Sequence, residues 1–464
     1  MRACTPFLAL ALAGCALAPP PQRAELDAQA LPNVKPPAAW AAAPAATGPV
    51  ADQWLAGFKD AQLDALVAEA LAYNFDLRVA AARVEQAAAY VQAAGATLYP
   101  QLKLAAAGSL GADSNGVQGV GLFANWELDL WGRIRAGREA ASLQDASAAL
   151  DAEYARQSIA ALVAKSWFLA TEARLQKDLA QDMAGAAERQ LSLAQDRLRV
   201  GVGAEADVAL ARASLSSYRD AVASLDQSYR QSLRALEALL GRYPSAAVQV
   251  PAQLAAMPGA VPLGMPSELL ERRPDVVAAE RRVAAAFYRT EEAKAAKLPR
   301  IALTGSVNSI SSEVFVLQQR DNPVWSLGGS ILQPLFLGGQ LQAQQDIRTA
   351  EQKQALAEYG RVGARAFGEV EEALAAEFSL IERAQLLTQA AADNARALEL
   401  TETRYRVGAV DLRAVQQQRL ALASARTALL RVQSEQRVQR VNLYLALGGS
   451  FEAKPAAEPL AAAR

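Results

Sequence analysis

The chain is written twice, and a duplication limits the possible folds more than any composition does. Residues Arg197 to Gly241 realign without a gap onto Arg404 to Gly448, at a constant offset of 207 residues. Arg197-Leu198-Arg199-Val200-Gly201 returns as Arg404-Tyr405-Arg406-Val407-Gly408, and Val208, Arg212, Leu215, Ser217, Arg219, Leu236, Leu240 and Gly241 recur with it. Upstream the echo runs at an offset of 199, matching Asp76, Arg83, Val84, Pro100 and Leu104 to Asp275, Arg282, Val283, Pro299 and Leu303. Small solenoids repeat every 20–50 residues or so, and this period is far longer. One large supersecondary unit has been copied.

Proline placement sets the outline of that unit. No proline falls between Pro100 and Pro244, or between Pro334 and Pro455. Both tracts are rich in Ala, Leu, Arg, Gln and Glu, which favour helix, and lack its strongest breaker. The net charge is −1, so no bulk basic field draws the chain to nucleic acid. Histidine is absent, which removes the commonest general base and the commonest metal ligand together. Carboxylate pairs such as Glu371-Glu372 occur, but neighbours on a helix do not face each other and read as a solvated face. No enzyme, cofactor or metal site is expected.

The N-terminus reads as an export signal over residues 1–14, with Arg2 before an apolar run, Phe7 to Ala13, too short to span a bilayer. It closes on Leu12-Ala13-Gly14-Cys15, which looks like a bacterial lipobox with Cys15 as the lipidated residue; an ordinary signal peptide with a chance cysteine is the alternative. Residues 15–50 read as a lipid-anchored, Pro/Ala-rich extended tether, and 449–464 as a similar tail.

Each half then opens with a modest helix, about 76–97 and 275–296, closed by Tyr99-Pro100 or Leu298-Pro299. Period-two patterning follows: Val120, Leu122, Ala124, Trp126, Leu128 and Leu130 alternate with Gly119, Gly121, Phe123, Asn125, Glu127 and Asp129. Hairpin strands are expected over about 99–131, with a turn at Gly111–Gly116, and over about 299–336. Strands of roughly ten residues suit an outer membrane when tilted. The alternation alone also fits a soluble two-sided sheet. Four strands cannot close a barrel, and lipid does not tolerate open edges, so a membrane reading demands oligomers.

After each hairpin comes a long helix, Arg133 to Arg199 and Gly339 to Arg406, each turning at a Val-Gly pair and returning as a second helix. The returning helices carry heptad seams, Val208-Leu215-Val222-Tyr229-Leu236 and Val415-Leu422-Leu429-Gln436-Leu443. Spacing of seven means coiled-coil packing. The expected organisation is therefore a first repeat over 51–241 with helices at about 133–241, a linker at 242–270, and a second repeat over 271–448 with helices at about 339–448.

Several motifs resemble those of the TolC-like outer-membrane factors, in particular the lipoprotein branch that serves tripartite efflux pumps. They are Asn74-Phe75-Asp76-Leu77, Leu98-Tyr99-Pro100, the run Trp126 to Arg133, Glu271-Arg272-Arg273-Pro274-Asp275-Val276, Leu303-Thr304-Gly305-Ser306, Leu335-Phe336-Leu337-Gly338-Gly339, Glu369-Val370-Glu371-Glu372-Ala373-Leu374 and the run Leu443 to Gly449. The resemblance implies a mainly α fold with a transmembrane β part: a homotrimer whose twelve-stranded β-barrel continues into a twelve-helix periplasmic α-barrel, with 242–270 in an equatorial belt. It implies a passive exit duct for drugs or metal ions, anchored in outer-membrane lipid and driven by an inner-membrane transporter through a periplasmic adaptor. The turns Val200-Gly201-Val202 and Val407-Gly408-Ala409 would touch that adaptor, or simply be helix turns. If the tips meet on a three-fold axis, Asp207, Arg404, Arg406, Asp411 and Gln417 would line the periplasmic gate; the two aspartates equally suit helix starts. Many relatives carry an acid where this chain has Gln417, so an acidic ring there is not carried over. A type I secretion duct shares the fold, and a lipid-tethered coiled-coil scaffold without a pore is the alternative of another class.

Overall fold

The computed structural model describes residues 19–34, 36–42, 50, 52–107, 118–311 and 324–451. The export signal, Cys15, the turn at Gly111–Gly116 and the tail beyond residue 451 lie outside them. In chain order the elements are α1 (Arg23–Ala30), a 3-10 turn (Trp54–Phe58), α2 (Ala61–Tyr73), α3 (Phe75–Ala96), β1 (Gln101–Ala107), β2 (Gln118–Leu128), α4 (Arg133–Arg199), α5 (Glu205–Leu239), a second 3-10 turn (Pro266–Glu268), α6 (Leu269–Arg272), α7 (Pro274–Ala295), β3 (Arg300–Ser311), β4 (Val324–Leu332), α8 (Gln340–Arg406) and α9 (Leu412–Ala446). The duplication survives in the lengths. The helices before the strands are both 22 residues, the long helices both 67 and the returning helices both 35.

Repeats of sequence are not units of packing here. One compact unit takes Ala80–Ala152, Pro274–Ala364 and the described part of Met1–Lys35; the other takes Pro36–Val79, Glu153–Arg273 and Arg365–Arg464 as far as it is described. Each unit thus draws matching stretches from both copies.

The first unit holds one antiparallel sheet in the order β1-β2-β3-β4. The central pair, β2 with β3, joins the two repeats, running from Gln118↔Ser311 to Leu128↔Ile301. Because side chains alternate across a sheet, the registers sort them into two faces. Leu102, Leu104, Val120, Leu122, Trp126, Leu303, Val307, Trp325, Leu327 and Ile331 share one; Lys103, Asn125, Thr304, Ser306, Asn308, Ser326 and Ser330 share the other. The apolar face is uncovered in the single chain, with Leu104 74% and Leu327 80% exposed. The outer edges of β1 and β4 have no strand partner among the described residues.

The run Trp126 to Arg133 turns strand into helix by hydrogen bonding. Asp129 accepts from the backbone N–H groups of Ile134 and Arg135, both at 2.9 Å, and so satisfies donors at the open start of α4. Glu127 receives the Arg133 guanidinium on both oxygens at 2.9 Å. The indoles of Trp126 and Trp131 donate to the carbonyls of Leu98 (2.9 Å) and Pro299 (2.7 Å).

The second unit has an aromatic and aliphatic core. Phe58 and Phe168 lie 5.0 Å apart, Trp54 stacks on Tyr444 at 5.7 Å, and Trp167 donates to Asp60, which also caps α2. The seam residues Val208, Leu215, Leu236, Val415, Leu422 and Leu443 are buried, and Val222, Tyr229, Leu429 and Gln436 are half-buried. Asn74 explains its motif: it accepts from the N–H groups of Asp76 and Leu77 while donating to the Leu239 carbonyl at 2.8 Å.

The Pro/Ala-rich N-terminal stretch departs from the extended tether that its composition suggests. In the first unit, α1 buries Leu26, followed by buried Leu31, pairs Arg23 with Glu280, and sets Asp27 to accept from the fully buried Tyr359 hydroxyl at 2.5 Å. Gly360 lets the Ala30 carbonyl in; a Cβ there would stand 2.4 Å from that oxygen. In the second unit, Trp40 is 4% exposed against Phe367, and Glu371 accepts from the N–H groups of Ala41 (2.9 Å) and Ala42 (2.8 Å). Alanine is a strong helix former and small enough to dock closely. A few large residues then suffice as anchors.

Candidate functional site

The two helix tips lie side by side in the second unit. A shared apolar cluster joins them: Ala194 of α4, Val208 and Ala211 of α5, Tyr405 of α8, and Leu412 and Val415 of α9. Both turns use one hydrogen-bonding scheme. Val202 N–H bonds the Arg197 carbonyl and Gly201 N–H that of Leu198; Ala409 and Gly408 repeat this onto Arg404 and Tyr405. That six-to-one and five-to-two pattern needs a left-handed residue, and Gly201 (φ +77°) and Gly408 (φ +79°) supply it. A Cβ on either would meet nothing within 4 Å. Val200, Val202 and Val407 stand out from the turns, 66%, 66% and 76% exposed.

The copies differ one step further along. Asp411 caps α9 by accepting from the Ala414 N–H at 2.9 Å. Its counterpart is Ala204, and α5 starts without a side-chain cap. Gly203, which the repeat alone does not single out, is the sterically tight residue: a Cβ would lie 2.8 Å from the Leu198 nitrogen. Its counterpart is Val410.

Electrostatics concentrate on Tyr405. Arg197 lies over its ring at 5.0 Å and donates to its carbonyl at 3.4 Å. Burial raises the phenol pKa above its ordinary value, Arg197 opposes the rise and Asp207 adds to it. Arg419, nearly buried, pairs with Glu402 at 2.6 Å and donates to the Ala186 carbonyl. Arg404, Arg406 and Gln417 are exposed, and Arg406 donates to Thr403 at 3.3 Å. Neither arginine reaches Asp207 or Asp411 within the chain. No group of three or more His, Cys, Asp or Glu side chains suited to a metal occurs among the described residues. No described helix is long and apolar enough to cross a membrane.

The model of a family described as outer membrane efflux protein matches residues 66–242 and 265–449, the two repeats in order. The chain belongs to that family. Among curated relatives, the pyoverdine export outer membrane protein OpmQ of Pseudomonas putida is 31% identical, over 96% of this chain and 97% of the relative. The cation efflux system protein CusC of Escherichia coli is 30% identical, over 96% and 98%. Among solved structures, the outer-membrane channel OprN superposes with a TM-score of 0.79 at 28% identity, covering 90% of this chain and 99% of that one. The outer membrane protein VceC of Vibrio cholerae gives 0.79 at 25% identity, covering 87% and 100%. This outer membrane efflux protein therefore has the mainly helical TolC-like fold that the motifs suggested, resides in the outer membrane, and is a channel component and not an enzyme.

Proposed function

We propose that three copies of this chain form the passive exit duct of a tripartite efflux system, carrying small molecules or metal ions outward. The carrying observation is the sheet, which has one apolar face, one polar face and two edges without a strand partner among the described residues. In lipid every edge must be paired, and three sheets of four strands meet that demand as a twelve-stranded barrel with the polar face toward its lumen. The helical hairpins continue it as a twelve-helix periplasmic barrel. An inner-membrane pump supplies the energy through a periplasmic adaptor. The names of the relatives, pyoverdine export and cation efflux, support small cargo. Diacylation at Cys15 adds a second anchor to the barrel. Cross-linking of the detergent-purified protein is expected to stop at three subunits, in a preparation that conducts across planar bilayers, and cells grown on labelled palmitate should label the chain unless Cys15 is replaced by Ser. A monodisperse, non-conducting monomer would sink the proposal.

The tips form the adaptor contact, through Val200, Gly201, Val202, Val407, Gly408 and Ala409, whose valine side chains are exposed. Just behind them Asp207, Arg404, Arg406, Asp411 and Gln417, each repeated three times, line the periplasmic gate, where Asp411 serves as both cap and gate. Gly201→Glu or Gly408→Glu should cost only about 1–2 kcal/mol of backbone strain, because no neighbour is displaced. Efflux should fall at least about tenfold at unchanged trimer yield. Loss of trimer instead would make these plain structural turns.

A further inference from the structure

Among the described residues the polar face of the sheet carries one large aromatic side chain, and its ring leans over a glycine. Phe123 sits on β2 between Gly121 and Asn125, with Lys103 directly opposite on β1 and Ser306 opposite on β3. Its ring covers Gly121: a Cβ built there would stand 2.9 and 3.1 Å from two ring carbons and 2.8 Å from the side-chain oxygen of Asn308. Glycine at 121 is what lets the far edge of the ring come this close to the backbone. Ala105 and Asn308 oppose Gly121, so short side chains border the ring. Phe123 stays 41% exposed. A bare ring face among polar and small groups is a surface on which another planar ring stacks.

Charge narrows the choice of ring. Lys103 is exposed and forms no hydrogen bond or ion pair among the described residues, whereas Glu127 on the same face is engaged by Arg133. The platform thus presents an apolar plane with one uncompensated cation beside it.

We propose that Phe123, Lys103 and Gly121 form a stacking site for planar aromatic anions on the wall of the exit lumen. Three copies line the barrel, and each holds cargo weakly enough to release it outward. The site rests on the duct reading, which turns this face toward water.

The test uses the full-length protein in lipid nanodiscs, with 2-naphthoate as probe and empty discs as blank. A water-soluble maleimide should label Ala105→Cys and spare Leu104→Cys. Equal labelling of the two would overturn the lumen reading itself, and the site with it. With labelling as expected, Phe123→Ala should weaken naphthoate binding roughly three- to tenfold, while Phe123→Tyr binds like the parent. Gly121→Ala, which lifts the ring, should weaken it similarly. Lys103→Gln should weaken it about threefold in low salt and leave it unchanged in high salt. A naphthyl trimethylammonium ion should bind the parent more weakly than naphthoate. Unchanged naphthoate affinity in a correctly labelled, trimeric Phe123→Ala protein would overturn the site alone, and equal affinity for the cation would overturn the assigned charge.

Discussion

Glu237→Ala is expected to unfasten the segment that follows α5 and to cost roughly 3 kcal/mol or more. The Glu237 carboxylate is 1% exposed and accepts from three consecutive backbone donors, Ala246 and Ala247 at 2.6 Å and Val248 at 3.1 Å, with the Ser245 hydroxyl at 3.4 Å. Ala246 is held at φ +60°, a left-handed conformation that alanine does not favour by itself. Removing the acceptor orphans three N–H groups, each worth about 1–3 kcal/mol when left buried, less where water reaches them. Burial alone would raise the carboxyl pKa, but the backbone donors outweigh it and hold it below the ordinary value. The contribution is therefore complete above the unfolded value of about 4.3 and is lost as pH falls through the lower folded value. Limited proteolysis at Arg242 should be slow in the parent at neutral pH, fast in Glu237→Ala at any pH, and intermediate in Glu237→Gln. Equal cleavage of parent and Glu237→Ala at pH 7 would refute the assignment.

Arg273→Ala should be nearly as damaging, at about 3 kcal/mol. The guanidinium is buried, pairs with Glu369 at 2.6 Å, donates to the Ala446 carbonyl at 3.3 Å near the end of α9, and lies 5.9 Å from the Tyr154 ring centre. Breaking a buried pair from one side costs about 3–5 kcal/mol; the lower end applies because Glu369 is partly exposed and also faces Arg365 at 3.5 Å. Arg273→Lys keeps the charge but loses the planar fork, and should fall between parent and alanine. The temperature at which helical signal is lost, compared at one scan rate, gives the order. Arg273→Ala melting with the parent would mean the pair contributes nothing net.

Much of this fold is legible in the sequence. Helix lengths follow from proline-free tracts and the turn glycines, because both effects are local. The seam was legible because burial of one helix face repeats every seven residues. The pairing of β2 with β3 was not: Val120 and Ser309 stand in sequence on either side of the α4–α5 hairpin and α7, and no local signal reports their meeting. Docking of the N-terminal stretch was hidden for a related reason. Its partners Tyr359, Gly360 and Glu371 lie more than 300 residues away, and only Trp40 and the leucines hint at them. At the tips, Gly201 and Gly408 announce themselves by recurring. Gly203 does not, because its copy is Val410 and its constraint is backbone proximity.

The shared cluster beneath the tips ties the two gene halves together in evolution. Ala194 and Val208 from one hairpin meet Tyr405, Leu412 and Val415 from the other at a single level. A codon inserted into α4 would advance its tip by about 1.5 Å and rotate it by about 100°, breaking that meeting. A duct of this design can lengthen its reach only if both halves gain the same residues in the same phase. The matched 67-residue and 35-residue helices are what such lockstep leaves behind.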